Sequence, residues 1–307
     1  MIQFVRRTLC AATLALATAL TWQARAAPKE ARVAIYMLSL GKLDLDRASV
    51  PADFYLTFDC AAGCPAIDFE IMNGRVTSSA KIEETPTRKM FRLFAELRPS
   101  VDLRHFPFDT QTINVIIEDK NLEKDELVFI PDNSKTGFGD DIALPGWTLA
   151  GWTARAVEND YAILGETYSR YVFAIDVAKP LWNAFLKTLM PVVFILLVVT
   201  CSYIIHVEKT DSRLGTATAS LIGAVMFHVA ITNQNPPLGY LTIADKFMLA
   251  LYAFLFLTIA CNFAIYELVQ HKREEQARRI HGAVRYKVIV GVPLVFAAVL
   301  GLIVATS

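Results

Sequence analysis

Few residues in this chain stand where side-chain chemistry would need them, and those few point away from catalysis. Cys60 and Cys64, in Phe58-Asp59-Cys60-Ala61-Ala62-Gly63-Cys64, form a C-x3-C pair. In an oxidising compartment two such thiols predict a small-loop disulfide, whereas a metal pair needs two further ligands that the sequence does not supply. His228 titrates near neutrality when unperturbed, so it reads either as a helix-packing histidine or as a proton sensor. Cys201 and Cys261 fall in apolar runs and read as packing residues. No GxSxG, phosphate loop or HExxH is present, and no catalytic constellation forms. The expectation is a protein that is not an enzyme and holds no metal or cofactor.

The elements that carry these residues divide sharply along the chain. Of 307 residues, 54% are hydrophobic and the formal net charge is zero. That is too apolar for an ordinary soluble domain and offers no electrostatic case for nucleic acid, so a membrane protein is expected. Residues 1–26 read as a signal peptide: Arg6 and Arg7 precede the apolar run Leu9 to Leu20, and Ala24-Arg25-Ala26 places small residues where a signal peptidase reads. An uncleaved anchor is the alternative, although the run is shorter than a spanning helix needs. Residues 27–179 read as all-β. Short alternating or β-branched runs such as Val33 to Leu38, Asp53 to Phe58, Thr112 to Glu118 and Tyr168 to Val177 are separated by turn-rich pieces such as Asn73-Gly74. Their spacing predicts a β-sandwich, immunoglobulin-like in class.

Within that half, Phe106-Pro107-Phe108-Asp109 brackets a proline with aromatics before a strand from Thr110. Taken alone, Pro107 sets a turn and Asp109 hydrogen-bonds locally. Residues 180–307 then hold four apolar segments, 181–205, 214–234, 247–269 and 286–305, each long enough to cross a hydrocarbon core. The third connection carries Lys272, Arg273, Arg278, Arg279, Arg285 and Lys287, and the first carries Lys209 and Arg213. The excess of positive charge puts both connections in the cytoplasm and the N-terminal domain outside.

The second segment differs from the others. Steps of three and four from Gly215 give Ala219, Ile222, Met226, Val229 and Asn233, a stripe small at one end, apolar in the middle and polar at the other. Thr216, Thr218, Ser220 and His228 lie on its other faces, where they can hydrogen-bond to neighbouring helices. The stripe reads either as a pore lining, which needs several copies of the chain, or as a packed central helix with no pore.

Taken in order, these features resemble the pentameric ligand-gated ion channels, the Cys-loop receptor family, in its bacterial branch. The resemblance rests on Phe106-Pro107-Phe108-Asp109-Thr110-Gln111, on Pro191 in the first span and on Pro237-Leu238-Gly239-Tyr240 after the second, and covers essentially all of the chain after residue 26. It implies a homopentamer around a central pore in the bacterial inner membrane, with a periplasmic ligand-binding domain. Its partners would be lipid, permeant inorganic ions and an agonist that is a small molecule, a divalent cation or a proton. Two departures stand out. The cysteines that name the eukaryotic receptors would fall at Pro99 and Ile113, and Lys179 stands where the family has an arginine, losing the bidentate fork of a guanidinium.

The resemblance also assigns residues. Gating motion would pass through Phe106, Pro107, Phe108, Asp109, Lys179 and Asp46 to Pro237 and Tyr240. Ile222, Met226 and Val229 would form apolar rings that close by dewetting. Selectivity would lie with Asp211, Ser212 and Glu208, leaning to cations, with Arg213 turned from the axis. The ligand would bind under the hairpin at 157–167, by Tyr161, Tyr168, Phe138 and the acidic Glu158. A tethered receptor that keeps the architecture, conducts no ions and signals through a cytoplasmic partner is the alternative function.

Overall fold

The computed structural model describes residues 27–139, 142–292, 294–298 and 301, so the expected leader at 1–26 lies outside the described residues. Among the described residues, ten strands make two sheets. β1 (Lys29–Leu40), β2 (Val50–Asp59), β4 (Gly74–Glu84), β5 (Arg88–Leu97) and β7 (Leu127–Pro131) run in the order β4-β5-β2-β1-β7, and β8 (Gly137–Phe138) pairs with β1. β3 (Phe69–Ile71), β6 (Thr110–Asp119), β10 (Glu166–Ala178) and β9 (Thr148–Tyr161) form the second sheet in that order. The sheets face each other across Ile35, Met37, Phe54, Leu56, Phe58, Leu93, Val115, Phe129, Tyr171 and Phe173, all buried, as the alternation of apolar residues demands. β4 is a strand that alternation does not reveal: nearly every residue in it is exposed, and its ladder is formed with β5.

Among the described residues four helices follow, each long and apolar enough to cross a membrane: α1 (Leu181–Ser202), α2 (Val207–Thr232), α3 (Ile243–Gln270) and α4 (Glu274–Ala298). Their bounds differ from those read from hydropathy. α3 starts four residues before 247 because Thr242 accepts from the Asp245 amide while the Asp245 carboxylate accepts from the Thr242 amide, a reciprocal cap. α4 starts at Glu274 and not at 286, because the basic stretch expected as a link is itself helical, with Glu274 and Glu275 at its positive end and Arg278 and Arg279 one turn on. α2 reaches back to Val207 through a short 3₁₀ turn.

Candidate functional site

The FPFD turn is where the sandwich meets the helices. Phe106 is buried with Leu103, Ile231 of α2 and Ala244 of α3, and Leu45 of the β1–β2 turn packs on the same cluster. Three hydrogen bonds tie the two halves: the Ile243 amide donates to Arg104 O at 3.2 Å, the Ala244 amide to Phe106 O at 3.1 Å, and the Leu103 amide to the Tyr240 hydroxyl at 2.9 Å. The Arg104 guanidinium stands 5.1 Å from the centroid of the Tyr240 ring. Phe108 packs with Leu189, Ile243 and Phe247. The first two amides belong to the first turn of α3, where donors lack helical partners, so the loop carbonyls complete that end of the helix.

Behind the turn, Lys179 Nζ lies 3.3 Å from Asp109 Oδ2, with the carboxylate fully buried. The ammonium also sits 4.4 Å from the Phe106 ring centroid and 5.3 Å from that of Trp147. Neither Asp109 oxygen has a directional hydrogen bond, so charge and the two rings hold the lysine. Burial pushes the Asp109 carboxyl up and the Lys179 ammonium down, and each is pulled back towards its charged form by the other. Trp147 carried no sequence signal for this role; it precedes β9 and reaches the site only through tertiary packing. Asp46 is exposed and its amide donates to Asp44 Oδ1, while its side chain lines a cleft of ≈ 490 Å³ shared with Gln234 at the end of α2. Pro237 is exposed beside this junction.

On α2 the packed face is Arg213, Ala217, Ser220, Ala224 and Ile231. Gly215, Ala219, Ile222, Met226, Val229 and Asn233 all fall on the exposed side, with Ile222 61%, Met226 66% and Val229 51% exposed. At its start Asp211 and Ser212 are exposed, and Glu208 pairs with Arg278 at 3.3 Å. Arg213 turns inward and donates from Nη2 to Asn262 Oδ1 of α3. His228 is held between α2 and α3, with Nδ1 3.0 Å from the Tyr252 hydroxyl and Nε2 3.1 Å from Asp245 Oδ1.

The β9–β10 hairpin brings Tyr161 and Tyr168 together, their rings edge to face at 5.8 Å. Both hydroxyls are engaged: Tyr161 donates to Glu118 Oε2 at 2.8 Å and Tyr168 to Glu166 Oε2 at 2.8 Å. The bond to Glu166 pushes the Tyr168 phenol up to about 12. Glu118 is buried and also accepts from Arg170 Nε across the strand pair, a partner that sequence spacing alone does not supply. Glu158 pairs with Lys124 at 2.6 Å. Phe138, expected in a variable loop, instead lies in β8 and packs on Phe173 at 5.9 Å, because the segment pairs with β1. At the hairpin tip the exposed side chains are Ile163 and Leu164. Cys60 and Cys64 are joined by a disulfide, S–S 2.17 Å.

No family model matches the chain. Among curated proteins it is 23% identical over 238 residues to the "Proton-gated ion channel" of Gloeobacter violaceus, covering 76% of this chain and 64% of that protein. It is 21% identical over 188 residues to "Ligand-gated ion channel 50" of Caenorhabditis elegans, covering 61% and 38%. The "Gamma-aminobutyric acid receptor subunit theta" of Mus musculus is 21% identical over 207 residues, covering 65% and 32%. These relatives share one family, and the order of sandwich, FPFD turn and four helices is that family's order. Over about three quarters of its length the chain is similar to pentameric ligand-gated ion channels. Matches to these channels span less than two thirds of each relative's length.

Proposed function

We propose that the protein is a homopentameric ligand-gated ion channel of the bacterial inner membrane, with residues 27–179 in the periplasm and 180–307 forming the channel. A small ligand, divalent cation or proton acts on the sandwich, and the pore favours cations. The observation that carries this reading is the exposed side of α2. Asp211, Ser212 and Asn233 share it with Ile222, Met226 and Val229, and Thr218, expected on another face, is exposed there too. Polar side chains on a membrane helix are costly against lipid, so this face needs water or other copies of the chain. Five α2 helices presenting it inward would enclose a path with apolar rings at Ile222, Met226 and Val229. Carboxylates at Asp211 would stand at one mouth and favour cations.

Coupling supports the same reading. The turn Phe106–Asp109 accepts hydrogen bonds from the start of α3 and packs on the end of α2. Motion of the sandwich is thereby carried to the α2–α3 connection, around Pro237 and Tyr240, and tilts α2. The ligand acts at the β9–β10 hairpin, where Tyr161, Tyr168 and Glu158 lie.

The test is to reconstitute the purified protein in planar bilayers under asymmetric salt, stepping pH, calcium and small amines on the sandwich side. The expected result is a current that responds to one of these agents, persists without it in Ile222→Ser, and reverses at a cation-favouring potential. Silence from both proteins, with pentamers shown intact, sinks the channel reading and leaves a non-conducting receptor.

A further inference from the structure

At the helix ends far from the sandwich lies a group of buried polar atoms that the channel reading does not use. Arg213, in the first turn of α2, has no exposed surface, and its guanidinium stands 4.7 Å from the Tyr203 ring centroid. Its Nη2 donates to Asn262 Oδ1 at 2.8 Å, while Nε and Nη1, Asn262 Nδ2 and His281 Nε2 have no well-formed hydrogen bond among the described residues. The Tyr203 hydroxyl lies against Thr258 and Arg213, also without a well-formed hydrogen bond. Tyr203 and Asn262 are fully buried and His281 is 8% exposed. The His281 and Tyr203 rings stack at 6.4 Å, 15° from parallel. Tyr203 directly follows α1, and Arg213, Asn262 and His281 belong to α2, α3 and α4, so all four helices contribute.

No carboxylate forms an ion pair with Arg213 among the described residues; the nearest acids in the chain, Asp211 and Glu208, are both exposed, and Glu208 pairs with Arg278 at 3.3 Å. A guanidinium stays charged in a protein, and a buried charge without a counter-charge is costly. Unpartnered buried polar groups in a folded protein call for an occupant, an ion or a water. The charge decides between these. The unused arginine and asparagine atoms are donors only, while the tyrosine hydroxyl and His281 Nε2 can donate or accept. A water can bridge such groups, but it leaves the buried Arg213 charge without a counter-charge. An anion needs only donors and a positive charge.

We propose that Arg213, Tyr203, Asn262 and His281 form a binding site for a small inorganic anion, chloride in the cell, that joins the ends of the four helices. Complete burial of Arg213 and Asn262 favours a monatomic ion over phosphate. The inference does not depend on the pore, and its test needs no current.

The full-length protein in lipid nanodiscs is unfolded thermally in sodium chloride and in sodium gluconate at equal ionic strength. The midpoint is expected to rise saturably with chloride. His281→Phe keeps the stacked ring and removes one donor, and should weaken the apparent chloride affinity about tenfold. Crystals grown in bromide should show an anomalous peak in contact with the Arg213 guanidinium. Equal midpoints in the two salts overturn the proposal. So does a chloride effect unchanged in His281→Phe with no bromide peak at Arg213.

Discussion

At the scale of single residues, the Lys179 and Asp109 pair shows how a lysine can serve where the resemblance leads one to expect an arginine. An ammonium makes no fork to a carboxylate, and the structure compensates by enclosing it between Phe106 and Trp147. Asp109→Ala leaves that ammonium, 19% exposed, facing two rings and no anion. The expected loss is about 3–5 kcal/mol of stability, read from thermal or denaturant unfolding. Joint replacement by Asp109→Leu and Lys179→Met should recover most of it. A single-variant cost within about 0.5 kcal/mol, as at an ordinary surface site, would refute the buried-pair account. The pH dependence has a definite sign. Burial raises the Asp109 carboxyl, so the folded chain holds that proton more tightly than the unfolded one, and this group's contribution falls as pH rises above about 4. The pair was expected only through the family resemblance, which sets the FPFD turn beside the residue before the first span; no pattern local to either residue carries it. Trp147 was not, since nothing in its neighbours' pattern says which way an indole before a strand will turn.

At the scale of elements, α3 is fixed at its start by the Thr242 and Asp245 cap, and the same carboxylate reaches His228 on α2. Thr242→Ala removes half of the reciprocal cap and frees Asp245 to move. The expected cost is about 1 kcal/mol in thermal unfolding, and a second cost should appear as weaker coupling between Thr242 and His228 in a double-variant cycle. Strict additivity of the two substitutions would show that the cap and the histidine act independently. Hydropathy placed the start of this helix at 247 because Ile243 to Lys246 are mixed in polarity, and a cap is a hydrogen-bonding feature that hydropathy does not weigh. The hairpin shows the converse. Its two tyrosines stood out in sequence, yet their hydroxyls are spoken for by Glu118 and Glu166, and the exposed groups at the tip are Ile163 and Leu164.

At the scale of the whole molecule, the surfaces left uncovered argue for assembly. Val193, Phe194 and Leu197 of α1 and Phe256, Leu257 and Phe263 of α3 are exposed and purely apolar, which suits lipid or another helix. The exposed side of α2 mixes apolar and polar residues and suits neither lipid alone nor bulk water alone. Native mass spectrometry of the detergent-solubilised protein is expected to show five copies of the chain. In that assembly a cysteine at Ile222 or Met226 should react with a water-soluble thiol reagent, while one at Ala217 or Ala224 should not. A stable monomer, or equal reactivity at all four positions, would exclude the proposed arrangement.

Sequence by itself determined the class of each part, and with the family resemblance it marked the FPFD turn as a candidate junction. These follow from hydrophobic period, segment length and a motif contained within a few residues, all local quantities. Only the tertiary structure decided which residues meet across the junction, that the basic stretch after Gln270 is helix, that Glu118 is paired with Arg170, and that Arg213 is buried without a counter-charge. Each of these joins residues distant in the chain or balances local propensity against packing. Burial and pairing depend on which groups the fold brings together, and no single stretch of residues carries that information.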